Sequence, residues 1–292
     1  MSKNILKPFV KWVGGKGQSL KDLRNNLPKE FDTYIEPFLG GGALLFDILA
    51  KKPDLKRVIV NDNNYELICV YNLLRDRAEF IIQGLKTMEK EYLELDEEGR
   101  KEMFYKIREK YNKLSRKTVS LHAMYFIFLN KTCFNGLYRV NKDGQFNSPA
   151  GRYKNPKICD AELLRAVSKA LKNVSIYSLP YEHMINLVDE NTFVYCDPPY
   201  RPITKTSAFT SYTTEGFSDE DQIKLKRFCD AVGEKGGKVM VSNSDPKSVD
   251  ENDNFFDDLY KGYNICRINA KRSINSKGEK RGQISELLIK NY

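Results

Sequence analysis

The stretch from Tyr34 to Asp62 narrows the folds open to this chain more than any other. Tyr34-Ile35-Glu36-Pro37-Phe38 has the β-branched and aromatic content of a strand, and Leu39-Gly40-Gly41-Gly42 breaks it. From Ala43 to Lys51 the apolar residues Leu44, Leu45, Ile48 and Leu49 recur at the spacing of one helix face. Arg57-Val58-Ile59-Val60-Asn61 is the next strand and ends at Asp62, 20 residues after Gly42. Strand, glycine turn, helix and strand in this order predict an α/β sheet. In nucleotide-binding folds an acid at this distance past the turn accepts hydrogen bonds from ribose hydroxyls. The glycines do not follow G-x-G-x-x-G, which favours an adenosine-containing ligand over a dinucleotide and speaks against a dehydrogenase.

Tyr195-Cys196-Asp197-Pro198-Pro199-Tyr200 is the second fixed point. Thr192, Phe193, Val194 and Tyr195 read as a short buried strand. Pro198 and Pro199 end it, because neither donates a backbone hydrogen bond and both fix φ. Asp197 therefore stands at the carboxyl end of a strand, where open α/β sheets place their ligands. The Pro198 carbonyl and the Asp197 carboxylate are two acceptors beside the flat ring of Tyr200. That set suits an amino group on a planar heterocycle; the alternative is a proline turn with a solvated acid.

Near the amino terminus, Phe9-Val10-Lys11-Trp12-Val13-Gly14-Gly15-Lys16-Gly17 contains a Gly-Lys pair. A phosphate loop needs glycine where Val10 stands and Ser or Thr where Gly17 stands, so that reading fails. What remains is a glycine turn presenting an indole and an ammonium, suited to a small zwitterion, or an ordinary capped turn.

Four motifs now stand in order: Lys11-Trp12-Val13-Gly14-Gly15-Lys16, Phe38-Leu39-Gly40-Gly41-Gly42, Asn61-Asp62 and Asp197-Pro198-Pro199-Tyr200. In that order the chain resembles the Dam-type (D12 class) DNA adenine-N6 methyltransferases over nearly its whole length. The resemblance implies a Rossmann-like sheet that binds S-adenosyl-L-methionine (SAM) and releases S-adenosyl-L-homocysteine. It places Trp12 and Lys16 at the methionine end of the cofactor and Asp62 at its ribose. Phe38, Gly40 and Gly42 belong to the turn packed against it, and Asp197 lies between cofactor and base. Asp197, Pro198 and Tyr200 are the expected catalytic group.

Between Arg100 and Arg165 there are 15 basic and 5 acidic residues, against a net charge of +9 for the whole chain. One segment therefore carries the excess, as expected of a module facing a polyanion. Helices are expected to about Arg77, from Glu79 to about Leu93, from Gly99 to Ser115 and from Ser120 to Leu129. Asp143-Gly144 is a hairpin signal, so Tyr138 to Asn147 is expected as a two-stranded ribbon. Such a ribbon fits the major groove of double-stranded DNA, where arginine reads guanine with two hydrogen bonds.

Asn135-Gly136-Leu137-Tyr138-Arg139 resembles the family's Asn-Gly-Leu-x-Arg segment, and the match continues through Asn147, Pro149 and Arg152. By that resemblance Arg139 reads a guanine within GATC, with other adenine-containing sites of the family as the alternative, and Phe134 wedges into the gap left by an extruded base. A phosphate contact is the alternative for Arg139.

The chain of 292 residues is 41% hydrophobic and 30% charged, the composition of a soluble globular protein. No apolar run reaches the roughly 18 residues of a membrane span. The segment from Met1 to Lys11 lacks the apolar core of a secretory signal. Six scattered cysteines and two histidines form no metal pattern, and read as reduced cytoplasmic thiols and a metal-free enzyme.

The expected architecture is an α/β catalytic domain from residues 1–64 and 166–292, interrupted by a mostly helical recognition insert, residues 65–165, carrying the hairpin. The Ser- and Thr-rich stretch from Arg201 to Glu215 is expected to close over the base. A basic link with Arg272, Lys277, Lys280 and Arg281 is either a second DNA contact or a solvated loop. A monomer is expected.

The competing functions are methylation of a cytosine or RNA amino group by the same chemistry, and a DNA-binding relative without activity. Cytosine-ring methylation needs a nucleophilic cysteine, typically after a proline, and none of the six follows one. Asp197 stands where the protein-glutamine methylases have Asn.

Overall fold

The apolar runs at Tyr34 and Thr192 become adjacent strands. The computed structural model describes residues 5–114, 119–202, 217–270 and 284–292. Among them run strands β1 (Thr33–Glu36), β2 (Arg57–Asn61), β3 (Val174–Tyr177), β4 (Thr192–Cys196), β5 (Lys238–Ser244), β6 (Asn264–Ala270) and β7 (Ile284–Lys290). The helices are α1 (Leu20–Asn25), α2 (Ala43–Lys51), α3 (Tyr65–Glu94), α4 (Glu97–Lys113), α5 (Val119–Thr132), α6 (Ala161–Leu171), α7 (Asp219–Glu234) and α8 (Phe255–Leu259). The chain divides into two units. The first comprises Met1–Gly15, Gly40–Pro53 and Asn64–Ser178, the second Lys16–Leu39, Asp54–Asn63 and Leu179–Tyr292.

In the second unit the strands lie in the order β2-β1-β4-β5-β7-β6. β1 pairs in parallel with β2 and β4, and β4 with β5, whereas β7 runs antiparallel between β5 and β6. Every residue of β1 and β4 is buried, so these strands read as continuous apolar runs rather than alternating ones. Ile35, Val194 and Val239 lie side by side in register, and with Leu225, Phe228 and Val232 of α7 they form the centre of one core. The chain leaves β1 for β2 on one side and later enters β4 on the other, so the topological switch falls between β1 and β4. In such Rossmann-like α/β sheets the ligand crevice opens at the carboxyl ends of the strands flanking that switch. Here those ends are Glu36-Pro37-Phe38 and Cys196-Asp197.

The first unit is mostly helical. The two helices expected after Asp62 form one run, α3, broken at Arg77, whose φ of −135° and ψ of 36° leave the helical region. Asn64, Asp96 and Asp160 cap α3, α4 and α6 by accepting from the N–H groups of Leu67, Gly99 and Leu163. Phe104, Ile107 and Tyr111 of α4 are buried, as is the apolar stripe of α5 from Phe126 to Leu129.

The expected ribbon narrows to one bridge, Val140 to Phe146, flanked by hydrogen bonds from Asn141 N–H to the Gln145 carbonyl (2.8 Å) and from Asn147 N–H to that of Arg139 (2.9 Å). The Asn141 carboxamide takes the N–H groups of Asp143 and Gln145, tightening the turn in place of further ladder. Most of the stretch from Arg201 to Glu215 lies outside the described residues, as do Arg272, Lys277, Lys280 and Arg281.

Candidate active site

Asp197 is the first residue past β4, and its position follows from the buried run Thr192–Cys196 and from the prolines that stop it. Lys16, only 6% exposed, brings its Nζ to 2.9 Å from Asp197 Oδ1 and to 4.6 Å from the centroid of the Tyr200 ring. The ammonium and that oxygen are in ionic contact at hydrogen-bond distance, which leaves the carboxylate's other lone pairs open. A half-buried acceptor thus keeps capacity for an N–H donor. The Tyr200 hydroxyl donates to Glu286 Oε2 on β7 at 3.2 Å, which fixes the ring.

Burial pushes the Asp197 carboxyl above the usual carboxylate range, Lys16 opposes that shift, and the Glu286 charge adds to it. The Tyr200 phenol is raised well above its ordinary value, by burial first and then by Asp197 and Glu286. It stays neutral and acts as a ring and a donor. Lys16, distant in sequence, is therefore brought to Asp197 and Tyr200.

At the end of β2, buried Asn61 donates from Nδ2 to the carbonyls of Pro37 and Leu179, each at 3.0 Å, and its main-chain carbonyl accepts from Leu39 N–H at 2.9 Å. It ties the Pro37–Leu39 turn to β2, which sets the half-buried Asp62 one residue further on. Phe38 stacks at a tilt on Tyr181 with centroids 5.0 Å apart. The carboxyl ends of β1, β2 and β4 thus present an aromatic ring and two acids at the switch.

The first unit carries Trp12, Gly40 and Gly42. Gly40 (φ 49°) and Gly42 (φ 69°) are both left-handed, the conformation that favours glycine. A Cβ on Gly40 would stand 2.8 Å from Trp12 Cδ1, so the indole occupies the space a side chain there would need. The other ring contacts of Trp12 are with Tyr138 (centroids 5.4 Å apart) and Phe126 (6.5 Å). The indole expected at a cofactor thus also joins the glycine turn to the residue preceding Arg139.

Among the expected recognition residues, Arg139 Nε donates to Asn147 Oδ1 at 2.8 Å, which holds an exposed guanidinium across the hairpin. Phe134 is 52% exposed, and its N–H donates to the Pro149 carbonyl at 2.9 Å. Asn135 is left-handed (φ 55°) and Leu137 is half-buried, its carbonyl accepting from Ser148 Oγ. Arg152 is exposed on the following segment. Phe134, Asn135, Arg139, Asn147 and Pro149 therefore belong to one folded-back loop.

Sequence reasoning missed four residues. Asn130 sits at the end of apolar α5 and is fully buried. Its carboxamide accepts from Lys11 N–H (2.8 Å) and donates to the carbonyls of Lys11 (2.8 Å) and Gly136 (3.2 Å). Glu286 orients Tyr200, while Gln222 and Asn243 hold the turn after Asp197. The available signal was a polar residue inside an apolar run, as in Phe126-Ile127-Phe128-Leu129-Asn130 and Val239-Met240-Val241-Ser242-Asn243.

A family model described as D12 class N6 adenine-specific DNA methyltransferase matches residues 12–274. The chain is 49% identical to the type II methyltransferase M.MjaIII of Methanocaldococcus jannaschii, over 98% of this chain and 99% of that protein. It is 40% identical to the type II methyltransferase M1.LlaDCHI of Lactococcus lactis subsp. cremoris, over 100% of this chain and 97% of that one. It is 34% identical to the DNA adenine methylase of Escherichia coli strain K12, over 99% and 95%.

Proposed function

The chain belongs to the D12 class N6 adenine-specific DNA methyltransferases, and on that premise we propose that it methylates the amino nitrogen of an adenine flipped out of duplex DNA, within GATC, using SAM. The observation that carries this reading is the half-buried Asp197 acceptor at the sheet's switch point, held beside Tyr200 by Lys16.

The residues fit the cofactor. In the second unit Lys16 and Asp197 offer charges of both signs for a zwitterion, Asp62 offers a half-buried acceptor one residue past β2, and Phe38 supplies a flat surface. In the first unit Trp12 supplies a flat surface beside the left-handed Gly40, and the assignment of Trp12, Gly40 and Gly42 to the cofactor rests on the family resemblance. SAM, when bound, supplies a methyl group on a positively charged sulfur.

The adenine amino nitrogen is a poor nucleophile because its lone pair is delocalised into the ring. Asp197 and the Pro198 carbonyl accept its two N–H bonds and favour a pyramidal nitrogen with its lone pair free. As the new N–C bond forms at the expense of the methyl–sulfur bond, which would leave S-adenosyl-L-homocysteine, positive charge grows on that nitrogen. Acceptors already aimed at it stabilise the transition state, and one of its N–H protons would then pass through them to solvent. Tyr200 stacks on the base, which must leave the helix to reach this depth. Lys16 keeps Asp197 ionised against its burial until the amino group arrives. The chemistry calls for no covalent enzyme intermediate, and we assign the protein no metal.

On the DNA side, Arg139 reads a guanine edge while Asn147 steadies it, and Phe134 enters the gap left by the base. Asn135, Leu137, Pro149 and Arg152 shape the loop that carries them. A monomer in the cytoplasm suffices, methylating the two strands of a palindrome in separate events.

Transfer of labelled methyl from SAM to unmethylated duplexes, with GATC intact or scrambled, tests this reading. Methyl-adenine only in the intact duplex is expected. Methyl-adenine in both keeps the chemistry and overturns the site, and no label in either overturns the whole reading.

A further inference from the structure

Pro198 and Pro199 have no N–H to give, so strand pairing cannot hold the peptide planes that follow Asp197. Side chains from two other elements hold them instead. Gln222 Nε2, in the first turn of α7, donates to the Pro199 carbonyl at 3.3 Å. Asn243 Oδ1, near the end of β5, accepts the Arg201 N–H at 3.0 Å. Ser244 Oγ donates to the Arg201 carbonyl at 2.7 Å. Asn243 Nδ2 also donates to Gln222 Oε1 at 3.1 Å, which joins the two carboxamides into one unit.

Both carboxamides are fully buried, at 0% exposure. Apolar side chains could fill the same space between helix and strand without the desolvation that a buried amide incurs. Retention of Arg201 does not explain the pair. Its guanidinium is anchored separately, to Asp219 and Asp253 at 2.7 Å each, and lies 4.4 Å from the centroid of the Phe255 ring. What the pair adds is the orientation of the peptide planes between Asp197 and Arg201.

We infer that Gln222 and Asn243 are positioning residues for methyl transfer, fixing the Pro199 and Arg201 peptides so that the Pro198 carbonyl and the Tyr200 ring face the amino group. This rests on the reading of Asp197 to Tyr200 given above. The pair touches neither substrate nor cofactor; it acts through the turn.

The test uses the full-length protein with Gln222→Met, which keeps the volume and removes the hydrogen bonds, and with Asn243→Ala and Asn243→Asp. Single-turnover methyl transfer at saturating duplex and SAM is measured beside SAM affinity, duplex KM and hydrogen exchange at the Arg201 amide. For Gln222→Met the rate is expected to fall about 10–100-fold, as for a misplacement near 1 Å, with SAM affinity and duplex KM within about threefold. Asn243→Ala should expose the Arg201 amide to exchange. Asn243→Asp keeps that acceptor and should fall between Asn243→Ala and the parent protein. The double variant should be little slower than the slower single one, since the two act together.

A parental rate in folded Gln222→Met overturns the inference. So does a fall in rate matched by losses of SAM affinity, duplex KM and melting temperature, which marks a merely structural pair. If the parent protein transfers no methyl group, the reading of the site has failed. Exchange at Arg201 then still decides whether the pair holds the turn, and an unchanged rate in Asn243→Ala overturns that too.

Discussion

Lys16 Nζ stands 2.9 Å from Asp197 Oδ1, and the same ammonium lies over the Tyr200 ring, 4.6 Å from its centroid. One cation from the amino-terminal turn therefore governs both the proposed acceptor and the proposed stacking platform. Burial raises the Asp197 carboxyl and Lys16 pulls it back. Only the ionised carboxylate offers both oxygens as acceptors together with the negative charge that stabilises a nitrogen becoming positive. Methyl transfer should therefore fail on the acid side through a pKa above the ordinary Asp value of about 3.9. Lys16→Met removes the opposing charge and should move that acid limb to higher pH in the single-turnover rate profile. An unmoved limb would show that the ion pair does not set the protonation of Asp197.

Arg139 is held by Asn147 rather than left to swing free. Replacing Arg139 by Ala should cost about 1–3 kcal/mol of discrimination at one base pair of the recognition site. Competition between the intact site and its single-base variants measures this. Equal weakening on every duplex would mark Arg139 as a phosphate contact. Asn147→Ala should give a smaller loss of the same kind.

Lys131, near the end of α5, has its pKa pushed down to about 8, chiefly by burial and next by the Lys11 charge. A lysine lowered in the folded state favours the neutral form there, so it penalises the fold while it is charged. Stability gained from this group appears as the pH rises from about 8 toward the unfolded value near 10.4, and is lost as the pH falls back through 8. Lys131→Met should raise the melting temperature at pH 7, by about 1–2 kcal/mol of stability, and the advantage should shrink near pH 10. Parallel melting curves for the two proteins across that range would refute the assignment.

Gly40 combines a left-handed φ of 49° with the Trp12 indole where a Cβ would stand. Gly40→Ala should therefore destabilise by about 1–3 kcal/mol, from backbone strain plus displacement of the ring. Denaturant unfolding is the measurement. A change below about 0.5 kcal/mol would mean that the turn relaxes freely.

The carboxyl end of the sheet was legible because its determinants are local. A β-branched strand stopped by two prolines places Asp197 without any long-range information, and the glycine turn with Asp62 does the same for β1 and β2. Lys16 was legible only as a cation on a glycine turn, since nothing near it in the sequence announces its ion pair with Asp197. Glu286 looked like one more residue of a terminal strand, and its bond to Tyr200 exists only because β7 inserts beside β5.

The hairpin turn at Asp143-Gly144 was visible, but its ladder was overestimated. Asn141 takes backbone N–H groups that a longer ribbon would have paired. A break near Arg77 was expected, though not the continuation of one helical run through it. Asn130 and Asn243 showed only as polar residues in apolar runs, and Gln222 was hidden because a buried amide and a solvated one look alike until the neighbours are known.

Asp197→Ala tests the central claim most directly, with single-turnover methyl transfer measured beside SAM affinity and thermal stability. Removing the acceptor should lower the rate on the order of a thousandfold or more while the protein stays folded and loses far less SAM affinity than rate. Turnover within about tenfold of the parent would contradict the claim that the half-buried carboxylate past β4 accepts the amino group.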